Sequence, residues 1–269
     1  DLHKEYRRQR QMCIRDSSWI EKHSPRDGSV VIDDLTEEFG VINLCGPHAR
    51  DVLQNVTDDD ISNETLPFSS YADIRVAGHP VRAMRIGYVG ELGWEMHMGR
   101  ENMPAVYRAL NEAGSKYDIA DVGYRAIDSL RMEKGYLYWS SDISPDYNPF
   151  EAGLGFRVNM KKGDFIGRDA LIAINENGGP ERKIAYFTLE KYMPVYGSEP
   201  IMREGRILDV TTSANFGYTI GKPLVFGYLP VQEFENRNFT VEAFGEVVPA
   251  TRHDDPLYDD VSERNINMA

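Results

Sequence analysis

RIGYVGELGWEMHM, Arg85 to Met98, is the stretch from which the fold of the first half of the chain is read. Its last residues alternate, so that in an extended backbone Trp94, Met96 and Met98 point to one face while Glu95 and His97 point to the other. A period of two is the mark of a strand with one face on a core. Val81 to Tyr88 reads as a second strand, joined to Trp94–Met98 by the glycines Gly90 and Gly93, which predicts a hairpin.

Upstream, SVVIDDL and FGVINL within Ser29 to Leu44 predict strand, turn, strand. Gly46-Pro47 then opens a helix in which Ala49, Val52, Leu53 and Val56 share a face. Downstream, Met103, Val106, Tyr107 and Leu110 recur at helical spacing, and a further helix is expected from about Tyr124 to Lys134, closed by Gly135. Ser140 to Pro149 is a polar, proline-containing loop, long for a compact domain and suited to lining a cleft. After a short helix at Asp169 to Asn175, the run Asn177-Gly178-Gly179-Pro180 marks a boundary. Beyond it come short strands, among them Ile184–Leu189, Ile207–Thr212, Leu224–Leu229 and Phe239–Ala243, which predict a small antiparallel barrel or sandwich. The expected organisation is residues 18–176 as one domain and 177–269 as a C-terminal β-barrel. Asp1 to Ser17, basic and unlike the acidic remainder, is set aside as a non-native or disordered tail.

At 269 residues with 41% hydrophobic content, the chain can bury substantial cores. The apolar runs fall far short of the roughly 20 residues needed to cross a bilayer, so a soluble, non-membrane protein is expected. A net charge of −13 argues against nucleic acid or an anionic membrane as partner, since either needs a basic surface. The two cysteines, Cys13 and Cys45, form no CxxC and complete no zinc site; the six histidines show neither HxH nor HExxH. No metal is expected. No GxGxxG is present: Gly153-Leu154-Gly155 continues into Phe-Arg-Val, and Gly217 to Lys222 fails the P-loop pattern.

The chemistry that stands out is a carboxylate on a strand beside three glycines. Glu95 offers two coplanar acceptor oxygens, which match the parallel N–H donors along the amino edge of a pterin. Gly87, Gly90 and Gly93 let a flat ligand approach the backbone, and Tyr88 is placed to cover a ring face. An exposed strand glutamate beside a glycine turn is equally read as a solvated side chain. Asp128 and Arg131, three apart on the expected helix, read as a surface ion pair. Glu151 reads as a residue that caps a helix or orders a loop.

RIGYVGELGWEMHM, GYRAIDSLRMEKGY (Gly123 to Tyr136), PFEAGLGF (Pro149 to Phe156) and KKGDFIGRDAL (Lys161 to Leu171) stand in the order and spacing of the glycine-cleavage T-protein family. The chain most resembles the C-terminal half of its sarcosine and dimethylglycine dehydrogenase branch, over about Ser18 to Asp260. The resemblance implies an α+β fold, a cloverleaf of α/β subdomains followed by a small antiparallel β-barrel. It further implies tetrahydrofolate as ligand, with Glu95 as the pterin-binding glutamate, Tyr88 as a folate-contacting tyrosine and Phe156 as a further aromatic contact. FAD is implied only through a flavin domain absent from this chain, which oxidises the N-methyl amine and acts as partner; the one-carbon unit is then captured as 5,10-methylenetetrahydrofolate. The location implied is the cytoplasm in a bacterium and the mitochondrial matrix in a eukaryote. Where the T-protein carries an arginine before Asp-Ser-Leu-Arg, this chain has Ile127, which favours the dehydrogenase branch over a stand-alone aminomethyltransferase. A non-catalytic regulatory or interaction module of the same fold, as in a phosphatase regulatory subunit, is the alternative. The family's domain begins before Ser18, so the acidic residue assigned to catalysis is expected upstream, and no catalytic residue is assigned here.

Overall fold

The computed structural model describes residues 16–258. Of the expected tail, all but Asp16 and Ser17 lies outside the described residues; these two are helical and exposed, as are the residues that follow them to 23. The chain forms two compact units, which divide between Ile127 and Asp128, well before Asn177.

In the first unit, strands β1 (Phe39–Cys45), β2 (Tyr71–Val76), β3 (His79–Met84) and β4 (Gly93–Gly99) form an antiparallel sheet in the order β1-β4-β3-β2. Helices α1 (Ala49–Gln54) and α2 (Met103–Gly114) supply apolar side chains to its core. Trp94, Met96 and Met98 of β4, Val81 and Ala83 of β3, and Ile74 and Val76 of β2 pack with Val52 and Leu53 of α1 and with Val106 and Leu110 of α2. Each is apolar at the position its element's period turns inward, the condition for a two-layer core. The alternation in β4 holds throughout: Trp94, Met96 and Met98 are buried, whereas Glu95 and His97 are only half-buried.

Two expectations are corrected. SVVIDDL forms no strand; Val30, Val31 and Ile32 lie exposed without ladder partners, and only Phe39–Cys45 pairs, with β4. High β-propensity does not make a strand where no neighbouring ladder meets it. Conversely, β2 was not anticipated. It forms a tight hairpin with β3 through Ala77 and Gly78, both at positive φ (49° and 82°), as a primed turn requires. The alternation of Ala72, Ile74 and Val76 before Ala-Gly carried that signal.

Helix α3 (Tyr124–Glu133) spans the division between the units, and Gly135 follows it at φ 76°. The second unit contains α4 (Arg168–Glu176) and the strands β5 (Arg182–Leu189), β6 (Pro200–Arg203), β7 (Arg206–Gly217), β8 (Lys222–Pro230), β9 (Asn238–Ala243) and β10 (Glu246–His253). These close as an antiparallel barrel in the order β10-β5-β8-β7-β6-β9, so no edge is left to pair with another chain. Phe187, Ile201, Val225, Leu229, Val241 and Val248 are among the residues that fill it.

Asp128 and Arg131 are not a surface pair. The Arg131 guanidinium is buried and donates to Asp128 Oδ1 at 2.8 Å, to the fully buried Asp142 at 2.7 Å, to the Tyr136 carbonyl at 3.0 Å and to Ser213 Oγ at 2.9 Å. Asp142 also accepts from Thr212 Oγ1 at 2.5 Å and from the Tyr138 N–H at 2.8 Å. Ser129 Oγ donates to the Phe216 carbonyl at 2.6 Å, and Glu133 accepts from the N–H groups of Thr219 and Ile220. The polar residues of the α3 motif thus bind the helix and its following loop to β7 and the turn after it. Helical spacing alone could not distinguish this from solvent exposure, because the partners on β7 and the turn after it lie 70 to 87 residues away in sequence.

Two outcomes follow for stability. Gly93→Ala places a methyl 2.4 Å from the Leu44 carbonyl oxygen across the β1–β4 ladder, and is expected to cost about 1–3 kcal/mol in a urea melt. Asp142→Ala removes the buried one of the two carboxylates that pair with Arg131 and leaves the guanidinium with Asp128, which is partly exposed; it is expected to cost about 3 kcal/mol, measured the same way.

Candidate functional site

The face of the first sheet turned away from α1 and α2 holds charged and titratable side chains of its strands. Its register is set by backbone pairing: Glu95 stands between Asn43 of β1 and Met84 of β3, and His97 between Val41 and Arg82. Asp73 of β2 lies beyond Arg82. Arg82 donates to the two Asp73 oxygens at 2.8 and 3.0 Å and sits over the Tyr71 ring at 5.2 Å. The hydrogen-bonded guanidinium holds the Asp73 carboxyl below the usual carboxylate range. A groove of about 1090 Å³ runs along this face, with Phe39, Asp73, Pro80, Arg82, Met84 and His97 in its lining.

The Glu95 side chain is 30% exposed, and among the described residues the only basic group within 4.0 Å of its carboxylate is His97, whose Nε2 lies 3.8 Å from Oε2. That separation exceeds a hydrogen bond. The carboxylate thus keeps acceptor capacity for a ligand. Its position is rigid for reasons that lie beneath the sheet. Trp94 is buried under the Arg50 guanidinium, 5.4 Å from the ring centroid. Arg50 in turn reaches the Ile61 carbonyl and, at 2.7 Å, Asn63 Oδ1.

The connection from β3 to β4 is held at its start and its end. Arg85, buried, donates through Nη1 to the Leu66 carbonyl at 2.9 Å, while its own backbone N–H and C=O pair with Ser70 and Ser69. Burial lowers both guanidinium pKa values, that of Arg85 further through repulsion by Arg50, but an arginine stays charged in either case. At the other end the Gly46 N–H donates to the Leu92 carbonyl at 2.9 Å, and Val89 and Leu92 are buried. Gly90 takes φ 76°, a conformation glycine adopts without strain. Between these anchors Tyr88 is 36% exposed, on the short connection that leads to Glu95.

Tyr88 and Glu95 therefore belong to one unit, whereas Phe156 belongs to the other. Phe156 lies in a 3₁₀ turn, 75% exposed, with the Arg157 guanidinium 4.9 Å from its ring centroid. It is not part of a core. Glu151 orders its loop: its carboxylate accepts from the Asn148 N–H at 2.9 Å, and Asn148 Oδ1 accepts from the N–H groups of Phe150 and Glu151. The Glu151 carbonyl accepts from the Ile184 N–H of β5, which ties this turn to the barrel. His97, half-buried on the same face of β4, lies two residues from Glu95.

Comparison with known proteins places this geometry. A family model described as the GCVT N-terminal domain matches residues 9–162, and one described as the glycine cleavage T-protein C-terminal barrel domain matches residues 182–259. The chain is 41% identical to mitochondrial sarcosine dehydrogenase of Mus musculus over 82% of its own length and 25% of that protein's. With mitochondrial dimethylglycine dehydrogenase of the same species the identity is 38%, over 91% of this chain and 28% of the relative. The chain thus spans about a quarter of the length of either dehydrogenase. Among solved structures, the glycine cleavage system aminomethyltransferase T from Bartonella henselae superposes with a TM-score of 0.72 at 25% identity, covering 82% of this chain and 60% of that one. With an N-terminal-type domain matched over more than half its length and the closed barrel behind it, the chain belongs to the glycine cleavage T-protein family.

Proposed function

We propose that the outer face of β4 reads the pterin of tetrahydrofolate. The chain is then the folate-binding, one-carbon-accepting portion of a longer FAD-dependent N-methyl amine dehydrogenase that acts on sarcosine or dimethylglycine and yields 5,10-methylenetetrahydrofolate. The observation that carries this reading is Glu95, a carboxylate fixed by the pairing of β4 on both sides, 30% exposed, and committed to no charged partner at hydrogen-bond distance among the described residues. Two parallel N–H donors from an amino-substituted pyrimidinone ring match its two oxygens. Tyr88, partly exposed on the same connection, supplies an aromatic surface for the ring. Phe156, exposed in the other unit, is a separate aromatic candidate.

Identity to the two dehydrogenases supports the amine-oxidising assignment, and so does Ile127. The chain carries no glycine-rich dinucleotide loop, so the flavin chemistry belongs to a partner domain in the full polypeptide. What this chain contributes to turnover is proximity: it holds the folate amine where the one-carbon unit is delivered, and the advantage is the entropy already lost on binding.

Glu95→Ala is expected to weaken tetrahydrofolate binding by about 2–4 kcal/mol, the loss of charge-assisted hydrogen bonds. Tyr88→Ala is expected to weaken it by about 1 kcal/mol through lost ring contact. Calorimetric titration of parent and variants measures both. Equal affinity of the parent and Glu95→Ala proteins refutes the role of Glu95, and a complete domain, with the strands upstream of Ser18 included, that binds no tetrahydrofolate points instead to a non-catalytic interaction module.

A further inference from the structure

His97 stands two residues beyond Glu95 on the same face of β4. Among the described residues its Nε2 is shut off from solvent and makes no hydrogen bond, although the side chain as a whole is 33% exposed. A ring nitrogen deprived of water without a compensating partner costs free energy, which a hydrogen bond to an acceptor within reach recovers. The groups that face it are few. Val41 lies across the β1 ladder and cannot hydrogen-bond through its side chain. Arg82 lies across the β3 ladder, but its guanidinium is held by Asp73 and Tyr71. The remaining group is the Glu95 carboxylate, with Oε2 at 3.8 Å, a gap that a modest side-chain rotation closes to hydrogen-bond length.

We infer that His97 is a positioning residue for Glu95, donating Nε2–H to Oε2 and so fixing the plane in which the carboxylate meets its ligand. The inference rests on the reading of Glu95 as the pterin acceptor. The donor and acceptor numbers agree with it. An ionised carboxylate has about four lone-pair sites, of which a bidentate ligand takes two, so one remains for His97 without competition. Asn43 and Met84, which flank Glu95 on the neighbouring strands, bring no charge to it. With Arg82 engaged by Asp73, His97 is the basic side chain in the outer-face register left to orient the carboxylate. The imidazole thereby turns a side chain with free rotation about its last bonds into an acceptor of fixed geometry, which lowers the ordering cost on binding.

The test is calorimetric titration of tetrahydrofolate into the full chain, its His97→Leu and His97→Gln variants, and Glu95→Ala alone and combined with His97→Leu. His97→Leu is expected to weaken binding about tenfold, the loss of one orienting hydrogen bond. His97→Gln carries an N–H donor near the position of Nε2 and is expected to stay within about threefold of the parent. In the Glu95→Ala background, His97→Leu is expected to add less than about twofold, because the group it orients is gone. Equal losses for Leu and Gln, or the same tenfold loss in the Glu95→Ala background, overturn the positioning role and leave the Glu95 reading standing. A Glu95→Ala protein that binds as the parent does overturns that reading and this inference with it.

Discussion

Backbone hydrogen bonds hold β4 between β1 and β3, and this pairing imposes a pleat that sends successive side chains to opposite sides of the sheet. Because the ladders on both sides are in register, one-residue slippage would bring Glu95 and His97 into the core and expose Trp94, Met96 and Met98. The apolar trio therefore does more than fill volume. By holding the inner face, it fixes which side of the sheet receives the carboxylate and the imidazole, and to within a residue where they stand. Gly93 is part of the same constraint. At that point β1 and β4 approach so closely that a β-carbon would meet the Leu44 carbonyl, so the lower end of the ladder closes only around glycine.

Charge is used differently in the two units. In the first, the half-buried Arg50 and the buried Arg85 anchor irregular backbone by donating to carbonyls, which gives loops between strands the fixed geometry of secondary structure. In the second, Arg131 and Asp142 form a buried ion pair whose other hydrogen bonds go to Asp128, Ser213, Thr212 and backbone groups. A buried pair adds little to net stability compared with an apolar isostere, but removing one partner is costly, so such a network specifies one docking of α3 and its loop on β7 and excludes others. The outer face of the first sheet is the exception, since the Glu95 carboxylate there makes no such closed network. A partly exposed carboxylate with unused acceptor capacity, held in place by a paired strand, is a place where ligand recognition is expected.

Much of this was legible from residue order. The alternation of Trp94 to Met98, the helical spacing of Ala49, Val52 and Leu53 and of Val106 and Leu110, and the glycine that ends α3 each report a local period or a local backbone need, and each appears in the structure as read. The failures share one cause. SVVIDDL has strand composition but no ladder to join, and the β2 hairpin was passed over because its signal, a primed turn at Ala77-Gly78, is carried by two residues in a polar neighbourhood. Asp128 and Arg131 have the spacing of a solvated pair and are found in a buried network.

Sequence alone determined which residue types could meet a pterin edge, on which face of a strand Glu95 lies, the change from mixed α/β to all-β organisation near Asn177, and the family to which the ordered motifs point. These depend on interactions between near neighbours along the chain, where period and turn chemistry suffice. Tertiary structure alone decided that Arg131 and Asp142 are buried, that Arg50 lies over Trp94, that Arg82 is occupied by Asp73, and that the Nε2 of His97 lies 3.8 Å from the Glu95 carboxylate with no hydrogen-bond partner among the described residues. Each of these is a question of which distant residue takes up a donor or acceptor. The answer depends on desolvation and on three-dimensional pairing, neither of which a linear pattern encodes.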